Sequence, residues 1–148
     1  MTADQKILRS FSKSLFDTDL VASRVILAMA EFIWALLLMW PGDTFDRPTY
    51  TIMRHVLPEE AWAFVFLITA MCQTTIVLSE IFHSTFARIF AAWNAVLWIF
   101  IVTAMLMSVY PPPAAISGEI ALAFAAFWIW LRPYIIFHGV VNARSARG

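Results

Sequence analysis

Glu31 stands near the middle of an apolar run of about twenty residues, Val21 to Trp40 (VASRVILAMAEFIWALLLMW). A run of this length crosses the ~30 Å hydrocarbon core of a bilayer as a helix, and a carboxylate at its midpoint costs a few kcal/mol unless it is paired, hydrated or protonated. Glu31 therefore has to face other helices or water. Arg24 lies seven residues earlier, on the same helical face. The later apolar runs carry their polar residues in the same inner half of the membrane: Gln73, Thr74 and Thr75 in the second, Asn94 in the third and Arg132 in the fourth. This placement predicts that Arg24, Glu31, Gln73, Asn94 and Arg132 converge on one buried polar network.

Two chemistries fit such a network. One is structural: hydrogen bonds between helices, each contributing about 0.6 kcal/mol and at most about 2, specify a single packing of the bundle. The other is a protonatable site, in which a shielded carboxyl group conducts protons or exchanges a proton for a cation. Small multidrug-resistance transporters use a first-helix glutamate in this way. The likeness stops at that residue, because this chain has a long amphipathic N-terminal stretch and a wide outer loop that those transporters lack.

Other reactive constellations are missing from the sequence. His55 falls on the outer side, His83 in the inner turn and His138 past the last apolar run. No two of them sit at i, i+4 or on facing helices at membrane depth, where a haem or metal would need them, although His83 and His138 could approach one another at the inner surface. No metal or cofactor is expected. Nor is there a Gly-rich phosphate loop, a nucleophile elbow, an HExxH or a paired-carboxylate motif, and nothing points to nucleic acid, so the chain does not read as an enzyme. Cys72, the single cysteine, lies inside the second apolar run and reads as a small packing residue.

The elements that hold these residues follow from composition and punctuation. Hydrophobic residues make up 61% of the chain and charged residues 14%, against about 25% charged in globular proteins. With a mean hydropathy of +0.76, this is the composition of a membrane protein. Its 148 residues leave room for four spans and no separate soluble domain. The fold expected is all-α and polytopic: an N-terminal interfacial amphipathic helix over about 5–16, spans over about 20–40, 60–80, 88–110 and 116–137, and an outer loop, 41–59, with a short interfacial helix of its own. No cleavable signal peptide is expected, since the first apolar run begins only near residue 20 and is too long for one.

Residues 5–16 (QKILRSFSKSLF) place Ile7, Leu8, Phe11 and Leu15 on one face and Lys6, Arg9 and Lys13 on the other, a pattern suited to an anionic lipid surface. Asp17, Thr18 and Asp19 offer a cap for the first span, and Trp40-Pro41-Gly42 ends it. In the outer loop Tyr50, Met53 and Leu57 recur at helical spacing; whether this stretch lies flat or dips back into the bilayer stays open. Pro58-Glu59-Glu60 suits the start of the second span, Glu80 to Arg88 forms a turn, and Pro111-Pro112-Pro113 stops the third. Ser117 can cap the fourth span, which Pro133 kinks or ends.

With both termini inside, the cytoplasmic face holds Lys6, Arg9, Lys13, Arg24, Arg88, Arg132, Arg144 and Arg147, and the outer face only Arg47 and Arg54. Positive residues thus favour that orientation. Trp40 and Trp62 read as an outer aromatic belt and Trp128 and Trp130 as an inner one, with Trp34, Trp93 and Trp98 deeper. Ser117, Ala121 and Ala125, with Gly118 adjacent, and the shorter pair Ala91 and Ala95 form small-residue rows that suit close helix packing within the bundle, or an oligomer seam.

The segment TFDRPTYTIMRHVLPEEAWAFVFLITAMCQ, residues 44–73, resembles a stretch of small four-span membrane proteins encoded by tailed bacteriophages and prophages. The resemblance implies a bacterial inner-membrane location and a role in the infection cycle, such as lysis or exclusion of competing phages. It carries over no functional residue. The expected function is non-enzymatic: a homo-oligomeric membrane protein acting on permeability, holin-like or pore-forming, or a membrane accessory acting by contact. One alternative is a proton-coupled small-molecule transporter centred on Glu31. The other is a structural or interaction protein, as in superinfection exclusion, with Lys6, Arg9 and Lys13 on membrane lipids and residues 43–60 on a protein partner.

Overall fold

The computed structural model describes the backbone of residues 3–42, 44–79, 81, 84–111, 114 and 116–145, and side chains between Leu20 and Arg132 within those stretches. Among the described residues the chain is entirely helical. Helix α1 (Ala3–Met39) is followed by two 3-10 turns (Thr44–Asp46 and Pro48–Tyr50), a short α2 (Thr51–Val56), and then α3 (Glu59–Leu78), α4 (Thr85–Ser108) and α5 (Ile116–Ser145). Leu20–Met39, Glu59–Leu78 and Thr85–Ser108 are long and apolar enough to cross a membrane. The fourth expected span falls on α5, whose side chains beyond Arg132 lie outside the described residues.

The expected break between an interfacial helix and the first span does not occur, because α1 runs through Asp17-Thr18-Asp19 without interruption. From Ala3 to Met39 there is no Gly or Pro, and Asp or Thr inside a helix costs well under about 1 kcal/mol, so a capping residue is not forced to cap. The side chains of Lys6, Arg9 and Lys13 lie outside the described residues. Helix α4, the third expected span, also begins earlier than expected, at Thr85, because Ser84 caps it: its Oγ accepts the Ala87 N–H at 3.0 Å.

Each span turns one stripe inward. On α3 the buried stripe is Trp62, Ala63, Phe66, Thr69, Ala70, Gln73 and Ile76, and on α4 it includes Ala87, Ala91, Asn94, Ala95, Trp98, Ile101 and Met105. The opposite face of α1 exposes Ile26, Met29, Phe32, Ile33, Leu36 and Leu37, an apolar surface suited to a membrane. Helix α1 packs along α3 and α4 along α5, whereas α1 meets α5 more lightly and α3 scarcely touches α4. The small pair Ala91 and Ala95 is buried as internal packing predicts. The row on α5 divides: Ala125 is half-buried against the core, whereas Ser117, Gly118 and Ala121 are exposed, and a Cβ on Gly118 would meet open space.

The outer loop folds back over the bundle as a cap, with α2 and the second 3-10 turn seated on α4. Its anchors are Phe45 and Met53, both buried. Glu59 holds the cap at its start, its carboxylate accepting the N–H groups of Thr44 (3.2 Å) and Phe45 (3.3 Å). Trp62, expected in the outer belt, is instead buried beneath the cap, where its indole N–H donates to the Met53 carbonyl at 3.0 Å. That carbonyl already accepts the Leu57 N–H at 3.1 Å, so the indole of a tryptophan one turn into the next helix uses its second lone pair and ties the two helices together. Trp40 is exposed, as a belt residue should be.

Trp62→Phe removes that donor and keeps the ring, and should destabilise the fold by about 1 kcal/mol. Hydrogen exchange of residues 51–57 should speed up while that of α4 stays unchanged; equal acceleration in both would contradict a local cap. Tyr50 adds a pH dependence. Burial, and then the nearby Glu119 carboxylate, raise its phenol above the usual 10.0, with Arg47 partly opposing them. The folded state therefore keeps a proton that the unfolded state has lost, so stability is intact below pH 10 and falls as pH rises beyond it. Alkaline unfolding followed by circular dichroism should show this slope in the wild type and a shallower one in Tyr50→Phe.

Candidate functional site

The polar residues expected to converge are buried, but they form two layers and not one network. The middle layer belongs to α1 and α4. Glu31, 0% exposed, accepts the Trp98 indole N–H on Oε1 at 3.4 Å, while its Oε2 has no hydrogen-bond partner. Asn94 stands beside the carboxyl group, one turn from Trp98 on the same face of α4, near enough for its amide to act on Glu31 although neither end of it makes a close hydrogen bond. Leu27 and Ala35, one turn away on either side along α1, are buried with it.

The inner layer joins α1, α3 and the start of α4. Arg24, 2% exposed, donates from Nη1 to Oε1 of Gln73 at 2.9 Å and from Nη2 to the Ala87 carbonyl at 3.4 Å. Gln73 is 0% exposed. The Nε of Arg24 and the Nε2 of Gln73 have no partner. Seven residues of helix put Arg24 about 10.5 Å below Glu31 along the axis. The two opposite charges of the sequence are thus not a pair. Among the described residues the ion pair that does form, Arg54 with Asp46 at 2.7 Å, lies exposed on the cap.

Not every expected member joins. Thr74 and Thr75 face outward and donate to the Ala70 and Met71 carbonyls of their own helix, both at 2.8 Å. A hydroxyl on a short stem reaches the carbonyl four residues back, so it needs no neighbouring helix. Buried Thr69 does the same with Val65 at 2.7 Å. Arg132 is buried on α5 and has a partner of its own. Trp98 is the functional neighbour that the sequence reading left among core aromatics. Its signal was the i, i+4 spacing from Asn94, which puts both on the face that meets Glu31.

Above Glu31 the interior is aromatic. Trp34 stacks on Phe66 (5.3 Å) and meets Trp98 (6.4 Å) and Tyr50 (5.9 Å) edge-on, and Tyr50 stacks on Phe45 (5.5 Å) in the cap. Below Glu31 the buried side chains include Asn94, Gln73 and Arg24. The site therefore has aromatic rings on the side of the cap, and on the other side buried polar groups with Leu27 and Ala91 among them. Its middle layer offers an unengaged carboxyl oxygen and its inner layer unengaged N–H donors, two opposite chemistries.

Among the described residues no group of three His, Cys, Asp or Glu could hold a metal ion. His55 is exposed on the cap, its Nδ1 2.6 Å from the Thr51 carbonyl, and the side chains of His83 and His138 lie outside the described residues. On the outer face, where a protein partner for residues 43–60 was expected, open hollows of about 460 and 430 Å³ flank Glu59 and Glu60.

Gln73→Leu should be more damaging than removal of the whole pair. It leaves the guanidinium buried with one distant carbonyl and costs upwards of about 2 kcal/mol, whereas Arg24→Met with Gln73→Leu removes the charge as well and should regain most of the loss. Unfolding midpoints of the single and double variants in detergent measure this, and a double variant less stable than Gln73→Leu would contradict it. Comparison with protein-family models, with curated proteins and with solved structures gives no match to this chain, so its function has to be argued from the chemistry of these two layers.

Proposed function

We propose that this chain is a non-enzymatic, multi-pass protein of the bacterial inner membrane that acts on membrane permeability by passing protons or small cations by way of Glu31. The observation that carries this reading is a fully buried carboxyl group in the middle of a span, held on one oxygen by an indole N–H, with the other oxygen unengaged and no cationic side chain bonded to it. A structural polar contact would use both oxygens or be replaced by an apolar residue, since a carboxyl group at that depth costs several kcal/mol.

The surroundings support a gated route over an open one. Asn94 and Gln73 offer polar steps from Glu31 on the side away from the cap, and Trp34, Phe66 and Trp98 obstruct the other side. In this reading α5 provides the fourth span, both termini are cytoplasmic, and Lys6, Arg9 and Lys13 rest among anionic headgroups. Copies associate in the membrane, as a four-helix unit encloses little space alone. A holin-like pore lined by several copies is the rival form of the same activity, and it requires polarity at position 31 but no titration.

Membrane potential, read with a dye in bacteria expressing wild type or Glu31→Gln at matched membrane levels, separates these forms. The wild type should depolarise the cells and Glu31→Gln should leave the potential near that of empty cells. Collapse in both would replace the proton route with a pore between copies. An intact potential in both would remove the permeability reading and leave a contact role for the cap.

A further inference from the structure

We propose that the inner layer is an anion site, in which Arg24 and Gln73 bind a phosphate oxyanion, from a lipid headgroup or from free inorganic phosphate. A guanidinium keeps its charge at any physiological pH, so burying it in a membrane bundle demands a compensating anion or a full set of acceptors. Arg24 has neither from the chain. Its partners are a neutral amide oxygen and a backbone carbonyl, no carboxylate among the described residues is bonded to it, and Glu31 is two helical turns away with Oε1 committed to Trp98.

What the pair has left over identifies its ligand. Both unengaged atoms, Nε of Arg24 and Nε2 of Gln73, are N–H donors, and they belong to side chains 2% and 0% exposed that are joined at 2.9 Å. A cluster that carries a positive charge and offers only donors selects an acceptor with negative charge, and guanidinium geometry favours oxyanions over spherical ions. Depth agrees with this chemistry. Arg24 lies near the N-terminal end of the apolar run that begins near residue 20, two turns from Glu31 toward that end. The site is independent of Glu31, because its occupant and its test involve no charge movement across the membrane.

The test uses the full chain purified in a neutral detergent and follows the unfolding midpoint in two titrations, one with inorganic phosphate and one with phosphatidylglycerol, against phosphatidylcholine as the blank. A saturable rise of several degrees is expected in at least one arm; a rise with phosphate identifies a free anion, and a rise with phosphatidylglycerol alone identifies a lipid headgroup. Arg24→Gln should abolish it. Because that variant could fail to fold, Gln73→Glu gives the second measurement: a carboxylate at position 73 pairs with Arg24 internally, so the midpoint without ligand should exceed the wild type and the response to either probe should disappear. Replacing Lys6, Arg9 and Lys13 together by Gln should leave the rise in place. No saturable rise in either arm, an undiminished rise in Gln73→Glu, or loss of the rise on removing the three N-terminal cations would overturn the proposal.

Discussion

Hydrocarbon offers no hydrogen bonds, and the interior of this bundle is arranged around that constraint. Every polar side chain within a span must be answered by its own helix, by a neighbouring helix or by something that enters from the aqueous side. Side-chain length decides which. The hydroxyls of Thr69, Thr74, Thr75, Thr103 and Ser108 all donate to the carbonyl four residues back and ask nothing of the packing. Arg24, Glu31, Gln73 and Asn94 are too long for that solution and have to reach across, so they fix how α1 sits against α3 and α4. These four also retain unengaged atoms, which is why they carry the functional argument.

The two layers divide the interior by chemistry as well as by depth. A carboxyl group with an indole and an amide occupies the middle, and a guanidinium with an amide occupies the inner boundary. Had Arg24 and Glu31 been one turn apart on α1, they would have paired and neutralised each other, leaving a structural contact. Two turns keep them separate, and each stays in need of a partner of its own. The aromatic chain from Phe45 through Tyr50 and Trp34 to Trp98 then makes the interior one-sided, since it joins the cap to the Glu31 layer through ring contacts.

Helix positions were readable from apolar runs and from Pro and Gly, and the burial of Arg24, Glu31, Gln73, Asn94 and Arg132 from the cost of exposing them to lipid. What could not be read was partner choice. Lateral packing decides whether Glu31 meets Arg132, Asn94 or Trp98, and a single sequence carries no record of which helices are neighbours. Asp17-Thr18-Asp19 looked like a cap because those residue types cap well, yet capping competes with simple continuation and no Gly or Pro forced the choice. Trp62 looked interfacial from its place near a span end, but the chain leaving α1 returned over it. The exposed row Ser117, Gly118 and Ala121 followed a packing pattern without a helix of this chain to pack against.

The unbroken α1 has a mechanical meaning. At 37 residues it is about 55 Å long, well beyond the thickness of the hydrocarbon it crosses, and it contains no hinge residue. It is a stiff lever whose N-terminal arm continues beyond the apolar run while its other arm carries Arg24 and Glu31. Torsion applied at the inner end is delivered to both residues together, turning them relative to α3 and α4 as one body. A twist at the Ala3 end of the helix would in this way be coupled to the orientation of the Glu31 carboxyl group, with no need for a signal to pass through the connecting loops.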